Sequence, residues 1–147
     1  MRTEAIVAVF VYGTLKRGQV RERCWPRRPI SVEPATIRGR LVDLGPYPAL
    51  LDGDSSVLGE FWRFDSADMS ETLRALDEVE CFGVDDVDLY VRRVVDCELL
   101  AGGVDRAFVY FLADPATADG HPAAPVDDAG RAYWLPLADL PPGWEDA

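Results

Sequence analysis

The sequence predicts an α+β fold built on a closed or nearly closed sheet. Three observations lead there. Segments with strand character outnumber helical ones. The last two strand candidates are joined by a tight glycine turn, Ala101-Gly102-Gly103, which makes them an antiparallel hairpin. One stretch alone carries a clear helical repeat, with Met69, Leu73, Leu76 and Val79 spaced four, three and three residues apart.

Taken in order, Ile6 to Tyr12 is an unbroken apolar, β-branched run that suits a fully buried strand, and it stops at Gly13. A polar, arginine-rich stretch continues to Arg28, with a short helix expected around Val20 to Trp25. Thr36 to Leu44 reads as a second strand, and Gly45-Pro46-Tyr47-Pro48 and Gly53-Asp54 as turns. Val57 to Phe64 reads as a third strand, where Gly59 marks a bulge or a close approach of backbone. The helix is expected from Ser66, with Asp68 and Glu71 favourably placed in its first turn. Leu89 to Leu99 and Asp105 to Leu112 form the hairpin. Asp114 to Gly130 reads as a long loop, and the tail carries Tyr133, Trp134 and Trp144, which suit packing rather than solvent.

A chain of 147 residues with 48% hydrophobic and 28% charged side chains is the size and composition of one globular domain, spanning residues 1–147. The longest apolar run is far short of the roughly 20 residues of a membrane helix. The start, Met1-Arg2-Thr3-Glu4, does not read as a signal peptide, so a cytoplasmic location is expected. The net charge of −11 disfavours nucleic acid and anionic membranes as partners. The charge is uneven. Residues 1–40 hold nine basic and three acidic side chains, a solvated face or an attraction for a small anionic substrate.

The inventory of reactive groups excludes much chemistry. The three cysteines, Cys24, Cys81 and Cys97, include no C-x-x-C pair and read as reduced structural thiols. The single histidine, His121, lies in the turn-rich Asp119-Gly120-His121-Pro122 and is expected to face solvent. No metal site, His-based catalytic triad, phosphate loop or dinucleotide fingerprint is present. Carboxylates and backbone groups are the main tools left, and neither a metal nor a cofactor is expected.

Three segments can use those tools. Tyr12-Gly13-Thr14-Leu15 follows a buried strand. Gly13 allows a turn that points successive N–H groups into one space, a nest for a carboxylate or developing oxyanion, although a plain glycine turn has the same sequence. In Leu76-Asp77-Glu78-Val79-Glu80, helical spacing puts Glu80 on the face of Leu73 and Leu76, while Asp77 and Glu78 turn toward solvent or a flank. An inward carboxylate has the raised pKa that a proton shuttle needs; a helix that stopped earlier would leave Glu80 solvated. In Tyr90-Val91-Arg92-Arg93, strand alternation sends Tyr90 and Arg92 to one face. There they orient a carboxylate or bind an anion, or else make an exposed cross-strand ion pair. The acidic run Asp85-Asp86-Val87-Asp88 lacks the calcium-loop pattern and reads as a solvated loop.

In this order the segments resemble the γ-glutamyl cyclotransferase-like family, and most of all its γ-glutamylamine branch. The resemblance rests on Phe10 to Gly18, on Gly39-Arg40-Leu41 with Leu44 to Ala49, on Val57-Leu58-Gly59-Glu60-Phe61-Trp62, on Leu76 to Glu80, and on Tyr90 to Arg93. It covers residues 6–112. It implies a small mixed β-barrel flanked by helices. Tyr12, Gly13, Thr14 and Leu15 would hold the γ-glutamyl group, Glu80 would act as acid/base, and Tyr90 and Arg92 would line the site. The implied reaction closes the substrate's γ-glutamyl group to 5-oxoproline and frees an amine, without metal or cofactor. The chain departs from the family in having Cys81 where many members have glycine. The acidic stretch at Asp85 to Asp88 would suit a cationic leaving amine. One alternative is a relative that acts on another γ-glutamyl compound, such as a γ-glutamyl peptide or a γ-glutamyl-protected biosynthetic intermediate. Another is an inactive member that binds a small ligand or a protein. Pairing with a second copy through the aromatic tail is compatible with either.

Overall fold

The computed structural model describes residues 6–13, 25–44, 48–79 and 90–134. Five strands form its frame: β1 (Ala8–Val11), β2 (Ser31–Asp43), β3 (Pro48–Arg63), β4 (Tyr90–Leu99) and β5 (Val104–Leu112). They follow one another around the sheet as β1-β5-β4-β2-β3, and β1 also pairs with β3, which closes the ring. The barrel is mixed, because β1 runs parallel to β5 at Val9↔Phe108 and antiparallel to β3 from Ala8↔Arg63 to Val11↔Glu60. A two-residue strand, β6 (Arg131–Ala132), adds to β3 in parallel. The expected closed sheet is therefore present. No described helix is long and apolar enough to cross a membrane.

The barrel has two apolar faces because strand side chains alternate. Ala8, Phe10, Ile37, Leu50, Val57, Phe61, Val109 and Phe111 pack together, drawn from four strands, with Cys97 of β4 among them; they fill the interior. Val9, Val11, Trp62, Phe64, Tyr90, Tyr110 and Leu112 point outward and pack with Met69 and Leu76 of α1 (Met69–Val79). The helix thus buries its Met69–Leu76 stripe on the outer wall. It is entered through a short 3₁₀ turn, Ser66–Asp68, capped by the Asp65 carboxylate, which accepts from the Ala67 amide at 3.0 Å.

Two sequence expectations are corrected. Gly53-Asp54 is not a turn between strands. The β2–β3 register jumps from Gly39↔Ser55 to Arg40↔Leu51, so Asp52, Gly53 and Asp54 bulge out within one continuous β3. Gly53 is needed there because a Cβ would sit 2.9 Å from the Arg40 Cβ. The stretch from Asp114 to Gly130 is also more ordered than a loop. It holds a 3₁₀ turn, Pro115–Ala118, and bridges at Val42↔Ala123 and Val126↔Ala132. Gly59 is a close approach as expected: a Cβ would lie 2.4 Å from the Val11 carbonyl and 2.5 Å from the Phe10 ring. The helix expected around Val20 to Trp25 lies, up to residue 24, outside the described residues.

Candidate active site

The site is read best from the end of β1. Tyr12 and Gly13 leave the strand there, and both are held. The Tyr12 hydroxyl donates to the Tyr110 carbonyl at 2.6 Å, tying the end of β1 to β5. Gly13 lies against the Pro48 ring, where an added Cβ would come within 2.9 Å of two ring carbons. This corrects the reason for the glycine. Its φ is not among the positive values, found at Gly102, Gly103, Gly120 and Gly130, so close packing rather than left-handed backbone demands it. Pro48 also holds Tyr90, whose hydroxyl donates to the Pro48 carbonyl at 3.1 Å. Two expected site residues far apart in the sequence, Gly13 and Tyr90, thus share one proline.

Beside them stands a carboxylate that the sequence pattern turned toward solvent or a flank. Asp77 of α1 faces the sheet. Arg92 Nη1 donates to both its oxygens at 2.6 Å, and the Tyr110 hydroxyl donates to Oδ1 at 2.6 Å. Arg92 and Tyr110 are direct cross-strand partners in the β4–β5 ladder, so the two strands grip Asp77 together. The Arg92–Asp77 pair is largely sheltered, with each side chain 23% exposed. Arg92 also lies over the Phe108 ring, 5.3 Å from its centroid. Burial pushes the Tyr110 phenol well above its usual range, and its bond to Asp77 pushes the same way, so Tyr110 stays a protonated donor.

A second carboxylate is wholly buried. Glu60 on β3 accepts from Trp62 Nε1 at 3.0 Å, and Trp62 stacks on Trp25 with ring centroids 4.3 Å apart and planes 4° from parallel. Glu60 pairs in register with Val11, one residue before Tyr12. A buried carboxylate costs free energy unless hydrogen-bonded, and the Trp62 indole supplies one such bond. His121 is exposed, as expected. Among the described residues no group of three or more His, Cys, Asp or Glu side chains is placed to hold a metal ion.

Of the expected site residues, Tyr12, Gly13, Tyr90 and Arg92 come together. Thr14, Leu15 and Glu80 lie outside the described residues, as does Asp85 to Asp88. Asp77, Tyr110 and Glu60 were not singled out from sequence. Counting back from the Ala101–Gly103 turn would have set Tyr110 opposite Arg92.

Comparison with known proteins decides the family. The family model for γ-glutamyl cyclotransferase, AIG2-like proteins matches residues 9–133, most of the chain. The chain belongs to that family. A relative of this γ-glutamyl cyclotransferase-like chain, γ-L-glutamyl-butirosin B γ-glutamyl cyclotransferase from Niallia circulans, is 34% identical over 106 residues. The match covers 69% of this chain and 64% of that protein, so this chain spans less than two thirds of that relative. A mouse AIG2-like protein superimposes with a TM-score of 0.64 at 26% identity, covering 91% of this chain and 99% of the mouse chain. An uncharacterised Pyrococcus horikoshii protein shares the fold, with a TM-score of 0.54 at 21% identity over 85% of this chain and 88% of its own. Within the family frame, the Tyr12–Gly13 end of β1 and the last turn of α1 are brought to one place by β4 and β5.

Proposed function

We propose that this chain is a γ-glutamyl cyclotransferase that converts a γ-glutamyl amine, or a related γ-glutamyl amide, to 5-oxoproline and the free amine. The observation that carries the proposal is the convergence of two segments on Pro48 and Tyr110. Tyr12 and Gly13 open the expected binding loop, and Asp77 stands one turn before Glu80 in sequence. The Niallia circulans relative, named for a γ-glutamyl compound, supports a substrate of that kind.

The chemistry follows from the substrate. Its α-amine and γ-carbonyl are the right distance apart to close a five-membered ring. Glu80 takes a proton from the α-ammonium, and the freed amine attacks the γ-carbonyl carbon. The tetrahedral oxyanion is held by backbone N–H groups of the loop at Tyr12, Gly13, Thr14 and Leu15. The C–N bond to the leaving amine breaks as Glu80 returns the proton to that nitrogen, and the ring nitrogen gives up its second proton to solvent or to the departing amine. Both nucleophile and electrophile belong to the substrate, so the enzyme's main task is to hold it curled with the proton shuttle beside it. Tyr90 and Arg92 line the wall of this site. The acidic stretch at Asp85 to Asp88 favours a cationic leaving amine.

The test is release of 5-oxoproline from a panel of γ-glutamyl amines and dipeptides, including γ-glutamyl-lysine and γ-glutamyl-alanine. Wild type is expected to be active, fastest with γ-glutamyl-lysine, and Glu80→Gln to lose at least about 100-fold in kcat. A folded wild type that releases nothing from the panel would sink the proposal.

A further inference from the structure

We propose that Tyr110 is a positioning residue that sets the binding loop and the acid/base helix at a fixed separation by holding both from one side chain and its own carbonyl. This rests on the reading above, in which the loop from Tyr12 binds the γ-glutamyl group and Glu80 moves the proton.

A preorganised site must hold its groups within about 0.5 Å of the productive arrangement. Here the two groups come from distant parts of the chain. Tyr12 ends β1, and Asp77 lies in the last turn of α1, three residues before Glu80 in sequence. Tyr110 spans them. Its carbonyl accepts the Tyr12 hydroxyl and its own hydroxyl donates to Asp77, both at 2.6 Å. The link between these two points is one residue with a rigid ring and two side-chain torsions, buried at 3% exposure in the outer-wall core. That is a short, stiff spacer.

The surroundings favour a registering role over simple attachment. Arg92 alone would tether α1 through charge, because its side chain already reaches both Asp77 oxygens. Tyr110 adds a directional bond to one of those oxygens, Oδ1, from the neighbouring strand. An ion pair tolerates sliding, whereas a second donor at a fixed angle does not. The phenol is also kept protonated, so it donates throughout the working pH range. Tyr110 acts through the two groups it holds, the Tyr12 hydroxyl and the Asp77 carboxylate of α1.

The test uses the full chain and the fastest substrate of the panel, with Tyr110→Phe, Asp77→Asn, the double variant and Glu80→Gln. Tyr110→Phe removes one hydroxyl and leaves the carbonyl that holds Tyr12. It is expected to fold, to lower kcat about 10- to 100-fold and to change KM less than about threefold, because alignment rather than affinity is lost. Asp77→Asn weakens the link that Tyr110→Phe removes, so the double variant is expected to be about as slow as the slower single variant, not slower by the product. If Tyr110→Phe fails to fold, Asp77→Asn carries the test, since it weakens the same bond from the other side. A folded Tyr110→Phe within about twofold of wild-type kcat, or multiplicative losses in the double variant, overturns the role of Tyr110 while Glu80→Gln still abolishes turnover. Activity that survives Glu80→Gln instead sinks the reading of the site, and the positioning role with it.

Discussion

Two neighbouring arginines on β4 face opposite sides of the barrel wall and live differently. Arg92 points to the outer wall beneath α1, where its pair with Asp77 is sheltered and Tyr110 joins it. Arg93 pairs with Asp52 at 2.7 Å, but those side chains are 45% and 80% exposed, and Asp52 sits in the β3 bulge. Both guanidinium groups also lie over a phenylalanine ring, Phe108 for Arg92 and Phe111 for Arg93. Contact distance therefore does not separate them. Solvent does: screening and side-chain entropy cancel most of an exposed pair, whereas a sheltered carboxylate stripped of its donors stays desolvated.

Removing each arginine tests the difference directly. Arg92→Ala is expected to cost about 2 kcal/mol in urea unfolding, since Asp77 loses its charged donor in a sheltered place. It is also expected to slow turnover by at least about tenfold, because the last turn of α1 loses a tether. A loss below about 0.5 kcal/mol would place Arg92 with the surface pairs.

The next effect concerns the interior side of the same strand. Cys97 is a free, fully buried thiol, and burial pushes it from 9.0 up to about 12, with the nearby Asp105 and Asp96 adding to the rise. The folded chain therefore keeps this proton in a range where the unfolded chain loses it. Stability from the group is intact below about pH 9 and is lost as the pH climbs from 9 toward 12. Replacing Cys97 with Val should flatten the alkaline fall by about 1 kcal/mol at pH 10, read as the difference between the two unfolding curves. Equal slopes would mean that the thiol is not shielded.

The smallest effect is expected at Arg93. Arg93→Ala should change stability by about 0.5 kcal/mol, and about 1 M salt should erase most of that difference while leaving the Arg92 difference largely intact. Equal salt sensitivity at the two positions would remove the distinction.

Much of this was legible in the sequence, for particular reasons. β1 has an unbroken apolar run, the β4–β5 hairpin a glycine turn and α1 a periodic stripe from Met69 to Leu76, and each forms the element expected. The shared face of Tyr90 and Arg92 follows from alternation alone. What periodicity missed is what depends on a partner far along the chain. Asp77 turns away from the core stripe when α1 is drawn by itself. Only the lie of the helix on the barrel brings it to Arg92, 15 residues on, and to Tyr110, 33 residues on. Tyr110 sits in the apolar run Ala107 to Leu112, where nothing local separates a structural aromatic from one whose hydroxyl has a task. The Gly53 bulge was mistaken for a turn because Gly-Asp is a turn pair, and only the β2 register shows the strand continuing.

The parallel pairing of β1 with β5 has a consequence for how the protein is made. The bond from Tyr12 to Tyr110 joins residues 98 apart in sequence. During synthesis, β1 emerges before both its partners and can pair with β3, but its other edge stays open until β5 follows. Contacts this distant in sequence close late and slowly. A nascent chain stopped ahead of Val104 therefore has the Arg92 tether to α1 but lacks the Tyr110 link that joins Asp77 to Tyr12.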